Sequence, residues 1–189
     1  MQIITRKGSF DAGHRVMNEK MKCFNLHGHT YLYELQFAFE YMKGIGYALD
    51  FKEIKRVASQ WIDDYLDHAV LLNPKDDVLI KASIEIGSKM WIMSLNGKGE
   101  YCNPTVENIA REVFIAVDYL FEQLYPGGNL RLQTIQVYET PNCSTILNTE
   151  DILPMERIEF LKVNANLLDS YAQEKGVVEY DDRVESCHL

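Results

Sequence analysis

Residues 2–14 read as a strand, in which Phe10, Ala12 and His14 fall on one face at period two. A polar connection over 15–28, containing Asn18, Asn25 and Gly28, leads to a second predicted strand over 29–41, dense in aromatics. Gly44-Ile45-Gly46 turns the chain out of it. Asp50 then reads as an N-cap with Glu53 three positions on, as in a capping box. The helix it opens, over 51–65, carries Ile54, Val57, Ala58, Trp61, Ile62 and Tyr65 on one stripe. Residues 78–95 read as a further helix with Gly87 as its weak point, followed by a loop at Asn96-Gly97-Lys98-Gly99. Pro104-Thr105 starts a helix over 106–124 that Pro126-Gly127-Gly128 closes. Strands fit 130–139 and 144–147, and a helix from Pro154 to about 175 precedes a charged tail. The order β-β-α-(insert)-α-β-β-α, with paired strands flanking paired helices, predicts an α+β fold rather than a doubly wound parallel sheet.

Bulk properties add bounds. At 189 residues the chain fits one domain, and 47% apolar with 25% charged residues is ordinary for a globular protein. No apolar run approaches the roughly 20 residues that span a bilayer. The segment Met1-Gln2-Ile3-Ile4-Thr5-Arg6-Lys7 lacks the pattern of a secretory signal, so a cytoplasmic location is expected. In that setting Cys23, Cys102, Cys143 and Cys187, irregularly spaced, read as thiols rather than a disulfide framework. The net charge of −9 is uneven. Residues 1–62 hold 9 Lys/Arg against 6 Asp/Glu, and the remainder 10 against 22. An acidic chain without a basic run argues against nucleic-acid partners.

His27-Gly28-His29 carries the chemistry. Residues two apart in an extended segment point the same way, so both imidazoles can reach one ion. His14 supplies a third nitrogen if the first two strands pair as a hairpin. Three neutral histidines with a fourth position open describe a catalytic zinc, although cobalt and iron(II) accept the same donors. Cys23 has two readings: it closes the site as a fourth ligand, or it sits beside the ion as a thiolate of lowered pKa. Asp67-His68 forms an acid/base pair if the carboxylate orients the imidazole.

Together, Phe10-Asp11-Ala12-Gly13-His14-Arg15, Cys23-x-x-x-His27-Gly28-His29, Leu49-Asp50-Phe51, Leu66-Asp67-His68, Pro104-Thr105-Val106-Glu107-Asn108 and Glu139-Thr140 resemble the 6-pyruvoyl-tetrahydropterin synthase family, in order, over residues 3–148. The resemblance implies the tunnelling fold, a β-β-α-α-β-β core with an antiparallel sheet and helices on one face, and an oligomeric barrel, commonly a homohexamer. It implies one zinc per subunit on His14, His27 and His29; catalytic roles for Cys23, Asp67, His68 and Glu139; and substrate contacts from Thr105, Glu107 and Glu139. Arg15, Lys20 and Lys22 are candidates for the triphosphate by proximity. The three-residue spacer after Cys23 resembles the 6-carboxy-5,6,7,8-tetrahydropterin synthases of queuosine (deazapurine) biosynthesis, lyases that act on 7,8-dihydroneopterin triphosphate. The alternatives are a 6-pyruvoyl-tetrahydropterin synthase or related side-chain lyase, and a non-catalytic zinc or pterin-binding domain. In this frame 1–150 is one domain with an insertion at about 70–103, and 151–189 is a helical extension and tail.

Overall fold

The protein is described by a computed structural model over residues 2–17, 20, 22–42, 44, 46–95 and 102–176. The loop expected at 96–99 and the tail beyond 176 lie outside the described residues. Strands β1 (Gln2–His14) and β2 (His27–Phe39) form one long antiparallel hairpin, in register from Gln2↔Phe39 to His14↔His27. β2 begins two residues before its expected start, because His27 and Gly28 pair with His14 and Gly13 instead of belonging to the connection. Phe10, Ala12 and His14 share the buried face with Tyr31, Tyr33, Leu35 and Phe37. Tyr33 lies across Gly8, where a Cβ would come within 2.2 Å of the phenol oxygen.

Strand β5 (Leu130–Thr140) pairs antiparallel with β2 and carries β6 (Cys143–Asn148) on its far side. A bulge sets Gln36 opposite Thr134 but Phe37 opposite Leu132, so Gln133 is the extra residue. Leu130 and Leu132 are therefore buried before the bulge and Ile135 and Val137 after it. That switch of phase puts Glu139, two residues beyond Val137, on the buried face.

The insert differs from expectation. Helix α3 covers only Asp77–Ile86 and ends at Gly87, whose φ of 68° supplies the left-handed cap. The chain then forms strand β4 (Met90–Ile92), and a second short strand, β3 (Ala69–Leu72), precedes α3. Both run parallel to β1, giving a six-stranded mixed sheet in the order β4-β3-β1-β2-β5-β6 around the expected antiparallel core.

Helical residues cover one face. The 51–65 segment is α1 (Phe51–Ile54), a π-helical turn (Lys55–Ser59) and α2 (Gln60–Tyr65). Asp50 caps it by accepting from the Lys52 amide, while Glu53 turns inward to Arg56 and the Tyr125 hydroxyl in place of the expected capping box. Helix α4 (Val106–Leu124) lies against the sheet and is covered by α5 (Pro154–Lys175), so its residues 112–117 are buried without a break. In α5 the buried positions Phe160, Asn164, Leu168 and Tyr171 form its one packed stripe. Glu112 of α4 reaches the insert, taking hydrogen bonds from the Trp91 indole (2.6 Å), the Ser94 amide (2.6 Å) and hydroxyl (3.1 Å), and the Leu95 amide (3.0 Å). Among the described residues no helix is long and apolar enough to cross a membrane.

Candidate active site

Alternation along the hairpin brings three imidazoles together at its end. Ring centroids are 4.6 Å apart for His14 and His27, 5.2 Å for His14 and His29, and 4.9 Å for His27 and His29. One nitrogen of each lies within 4.8 Å of the others. Gly28, between the two histidines of β2, packs against β1: a Cβ there would stand 3.2 Å from the Ala12 carbonyl oxygen.

Backbone carbonyls fix the tautomers. His14 Nδ1 is 2.7 Å from the Pro104 oxygen and His27 Nδ1 is 2.7 Å from the Asn25 oxygen. A carbonyl only accepts, so each Nδ1 carries a proton, which leaves Nε2 as the nitrogen that can offer a lone pair. His14 is 1% exposed, and burial, opposed by the Pro104 bond and aided by its two imidazole neighbours, lowers its pKa to about 4. It is neutral at neutral pH, so the 3.6 Å approach of Glu139 Oε1 to its Nε2 is no ion pair. The Nε2 atoms of His14 and His29 are buried without a hydrogen-bond partner. Three clustered ring nitrogens, two of them buried orphans and two on rings oriented through their other nitrogen, fit a metal ion.

Tyr31 completes this wall. It follows His29 by two residues on the same face, and its ring stands edge-on to His14 at 6.0 Å and His29 at 5.6 Å. Its pKa is pushed far up by burial, then by the nearby Glu139 carboxylate and Cys23 thiol, so the phenol stays protonated.

The other expected residues divide. Cys23 is exposed in a 3-10 turn (Lys22–Phe24), tied to the strand end by the Val16 amide bonding to its carbonyl. Thr105 caps α4 by accepting from the Asn108 amide, and the carbonyl just before it grips His14. Glu107 is exposed in the first turn of α4. Asp67 and His68 sit at the outer edge of β1. Asp67 accepts the Asp11 amide (2.8 Å) and pairs with His68 Nδ1 (2.6 Å), and the His68 amide donates to the Asp11 carbonyl. His68 adopts φ of 57° and its side chain is 76% exposed. With Asp11, Gly28, His29 and Thr30 it lines an open groove of about 500 Å³. Among the described residues no hydrogen bond or ion pair joins it to Cys23. Arg15 is committed to Asp76 through two bonds of 2.5 and 2.6 Å, which tie the insert to the strand end.

The fold and these motifs agree with a match to the 6-pyruvoyl tetrahydropterin synthase family model over residues 3–150. The chain belongs to this family. It is 38% identical over 141 residues to a 6-carboxy-5,6,7,8-tetrahydropterin synthase of Rickettsia felis, covering 74% of this chain and 94% of that one. It is 31% identical over 150 residues to the 6-pyruvoyl tetrahydrobiopterin synthase of Dictyostelium discoideum, covering 74% and 90%. The solved Caenorhabditis elegans 6-pyruvoyl tetrahydropterin synthase matches at a TM-score of 0.53 and 25% identity over 78% of this chain and 96% of that one. The sheet and helices are thus those of the tunnelling fold, and membership makes the chain a pterin-processing enzyme of the synthase type.

Sequence reasoning missed Tyr31, Pro104 and Asn25. Tyr31 continues the alternation that runs from His27 through His29, so the same period identifies it. The two carbonyls carry no side-chain signal.

Proposed function

We propose that this family member is a zinc-dependent 6-carboxy-5,6,7,8-tetrahydropterin synthase. It takes 7,8-dihydroneopterin triphosphate and water to 6-carboxy-5,6,7,8-tetrahydropterin, acetaldehyde and triphosphate. The observation that carries the reading is the triad of clustered imidazoles, two of them oriented by backbone carbonyls, beside Glu139 on the buried face of the sheet. The 38% identity to a relative bearing that name supports the product.

In this reading His14, His27 and His29 hold the zinc, and Cys23 stands apart as a base rather than a fourth ligand. When bound, the metal supplies Lewis acidity toward the hydroxyls of the substrate side chain. Glu139 accepts the 2-amino and N3–H donors of the pterin through two parallel hydrogen bonds, which fixes the ring. Thr105 and Glu107 flank that ring at the start of α4. Cys23 as thiolate removes a proton from the side chain, and His68, held by Asp67, donates or relays one as triphosphate leaves.

A further element of the proposal is a homo-oligomer, of hexameric type, whose active sites lie between copies. The outer edge of β1 pairs with β3 only from Ala12 to His14, which leaves most of the strand open to a neighbour.

Mass spectrometry of the products formed from 7,8-dihydroneopterin triphosphate tests the reading. A carboxylated tetrahydropterin with acetaldehyde is expected. A pyruvoyl product without acetaldehyde assigns the chain to the branch that the Dictyostelium relative represents, and neither product rejects both.

A further inference from the structure

Tyr31 is 0% exposed, and its hydroxyl is one of four buried side-chain polar atoms without a hydrogen-bond partner among the described residues. Two of the others are the Nε2 atoms of His14 and His29, so three orphans adjoin one centre. The ring is held flat against Phe10, with centroids 5.0 Å apart and planes at 12°, so it is fixed before any ligand arrives. β2 and β5 stay in register to Leu32↔Tyr138, and one step on, Tyr31 and Glu139 lie side by side on the buried face. A buried hydroxyl without a partner is costly, and families remove such groups unless something pairs with them. A metal ion on the imidazoles consumes nitrogen lone pairs but accepts nothing from an O–H. The missing partner is therefore an acceptor that enters with the ligand.

We infer that the Tyr31 hydroxyl donates a hydrogen bond to a side-chain oxygen of the bound pterin, presented at the three imidazoles, and strengthens that bond as negative charge develops on the oxygen. Tyr31 is then a substrate-contacting residue specific for the hydroxylated side chain, as Glu139 is for the ring. This rests on the proposed pterin synthase reading and adds to it a determinant of side-chain recognition. Phe10 explains why a tyrosine, and not a shorter donor, does this: stacking holds a long rigid ring whose tip alone is polar.

The test compares Tyr31→Phe with the parent, both as zinc-loaded full chains. The variant keeps the Phe10 stack and deletes only the oxygen. Turnover of 7,8-dihydroneopterin triphosphate is expected to fall on the order of 100-fold in kcat, as for loss of one preorganised donor, with zinc content unchanged. Melting of the zinc-free variant is expected to match or exceed the parent's, since the lost group had no partner. A second readout needs no turnover. The parent is expected to bind 7,8-dihydroneopterin more tightly than 6-methyl-7,8-dihydropterin, which lacks the side-chain hydroxyls, and the variant to show a smaller preference, the metal's own share remaining. An unchanged preference and kcat overturn the inference alone. A lower melting temperature or lost zinc overturns it too, by giving the hydroxyl a structural or ligating role. A parent that binds neither pterin sinks the functional reading, and the inference with it.

Discussion

Replacing Glu112 with Gln probes how the insert is attached, because it keeps the side chain's shape and changes one atom from acceptor to donor. Four donors converge on this buried carboxylate, three of them on Oε1 and the Trp91 indole on Oε2. In the variant the amide oxygen takes the Ser94 and Leu95 side, and its NH₂ group faces the indole N–H at 2.6 Å. Two buried donors then lack partners, at about 1–3 kcal/mol each. An opposing effect exists. Burial raises the Glu112 pKa despite its hydrogen bonds, so a neutral amide relieves some desolvation. The mismatch outweighs this relief, and a net loss of about 1–3 kcal/mol is expected, lowering Tm by about 2–12 °C at this chain length. Urea unfolding followed by Trp fluorescence measures the loss. A double-mutant cycle with Trp91→Phe isolates the contact, because the relief of desolvation is common to both backgrounds. Phenylalanine presents no N–H, so the Gln substitution is expected to cost about 1–2 kcal/mol less beside it. Zero coupling, or a Glu112→Gln protein as stable as the parent, refutes the reasoning.

Three further outcomes bear on the site. His29→Ala is expected to lose bound zinc and turnover together, and full zinc occupancy by elemental analysis counts against the triad. Cys23→Ala is expected to retain zinc while turnover largely disappears; loss of the metal instead makes the thiol a ligand. The zinc-free protein is expected to lose stability in mild acid. The unfolded chain protonates His14 at 6.5 and the folded one only at about 4, so the contribution is complete above pH 6.5 and lost as pH falls toward 4. That shift is worth about 3 kcal/mol at 1.36 per unit. Denaturant midpoints between pH 7 and 4 measure it, and a flat profile shows that His14 titrates normally.

What the sequence made legible is what period two controls. His27 and His29 share a face because they are two residues apart on a regular strand, and His14 joins them because it pairs directly opposite His27. Two classes of feature escaped. The insert's strands span only four and three residues, too short for periodicity, and the spacing from 78 to 95 imitates a helix. Its strand β4 exists because β3 and Glu112 receive it, contacts made across the chain and invisible locally. The position of Asp67–His68 escaped for another reason. A histidine at positive φ, anchored by the Asp11 backbone, sets the pair at the edge of β1, and no residue type announces that turn. The long helices α4 and α5 matched their expected ends because Thr105 and Pro154 are start signals that work without tertiary help.

The carbonyl that holds the proton on His14 belongs to Pro104, ninety residues further along. The hairpin alone, complete by Phe39, gathers the three imidazoles but leaves the ring of His14 able to turn and to hold its proton on either nitrogen. Orientation arrives only when the insert has folded and the 102–105 segment has docked, closing one of the longest loops in the chain. A metal held by the triad, as proposed, would meet an oriented His14 only late in folding. Before α4, which carries no imidazole, has seated, the three rings are gathered but His14 lacks the carbonyl that orients it.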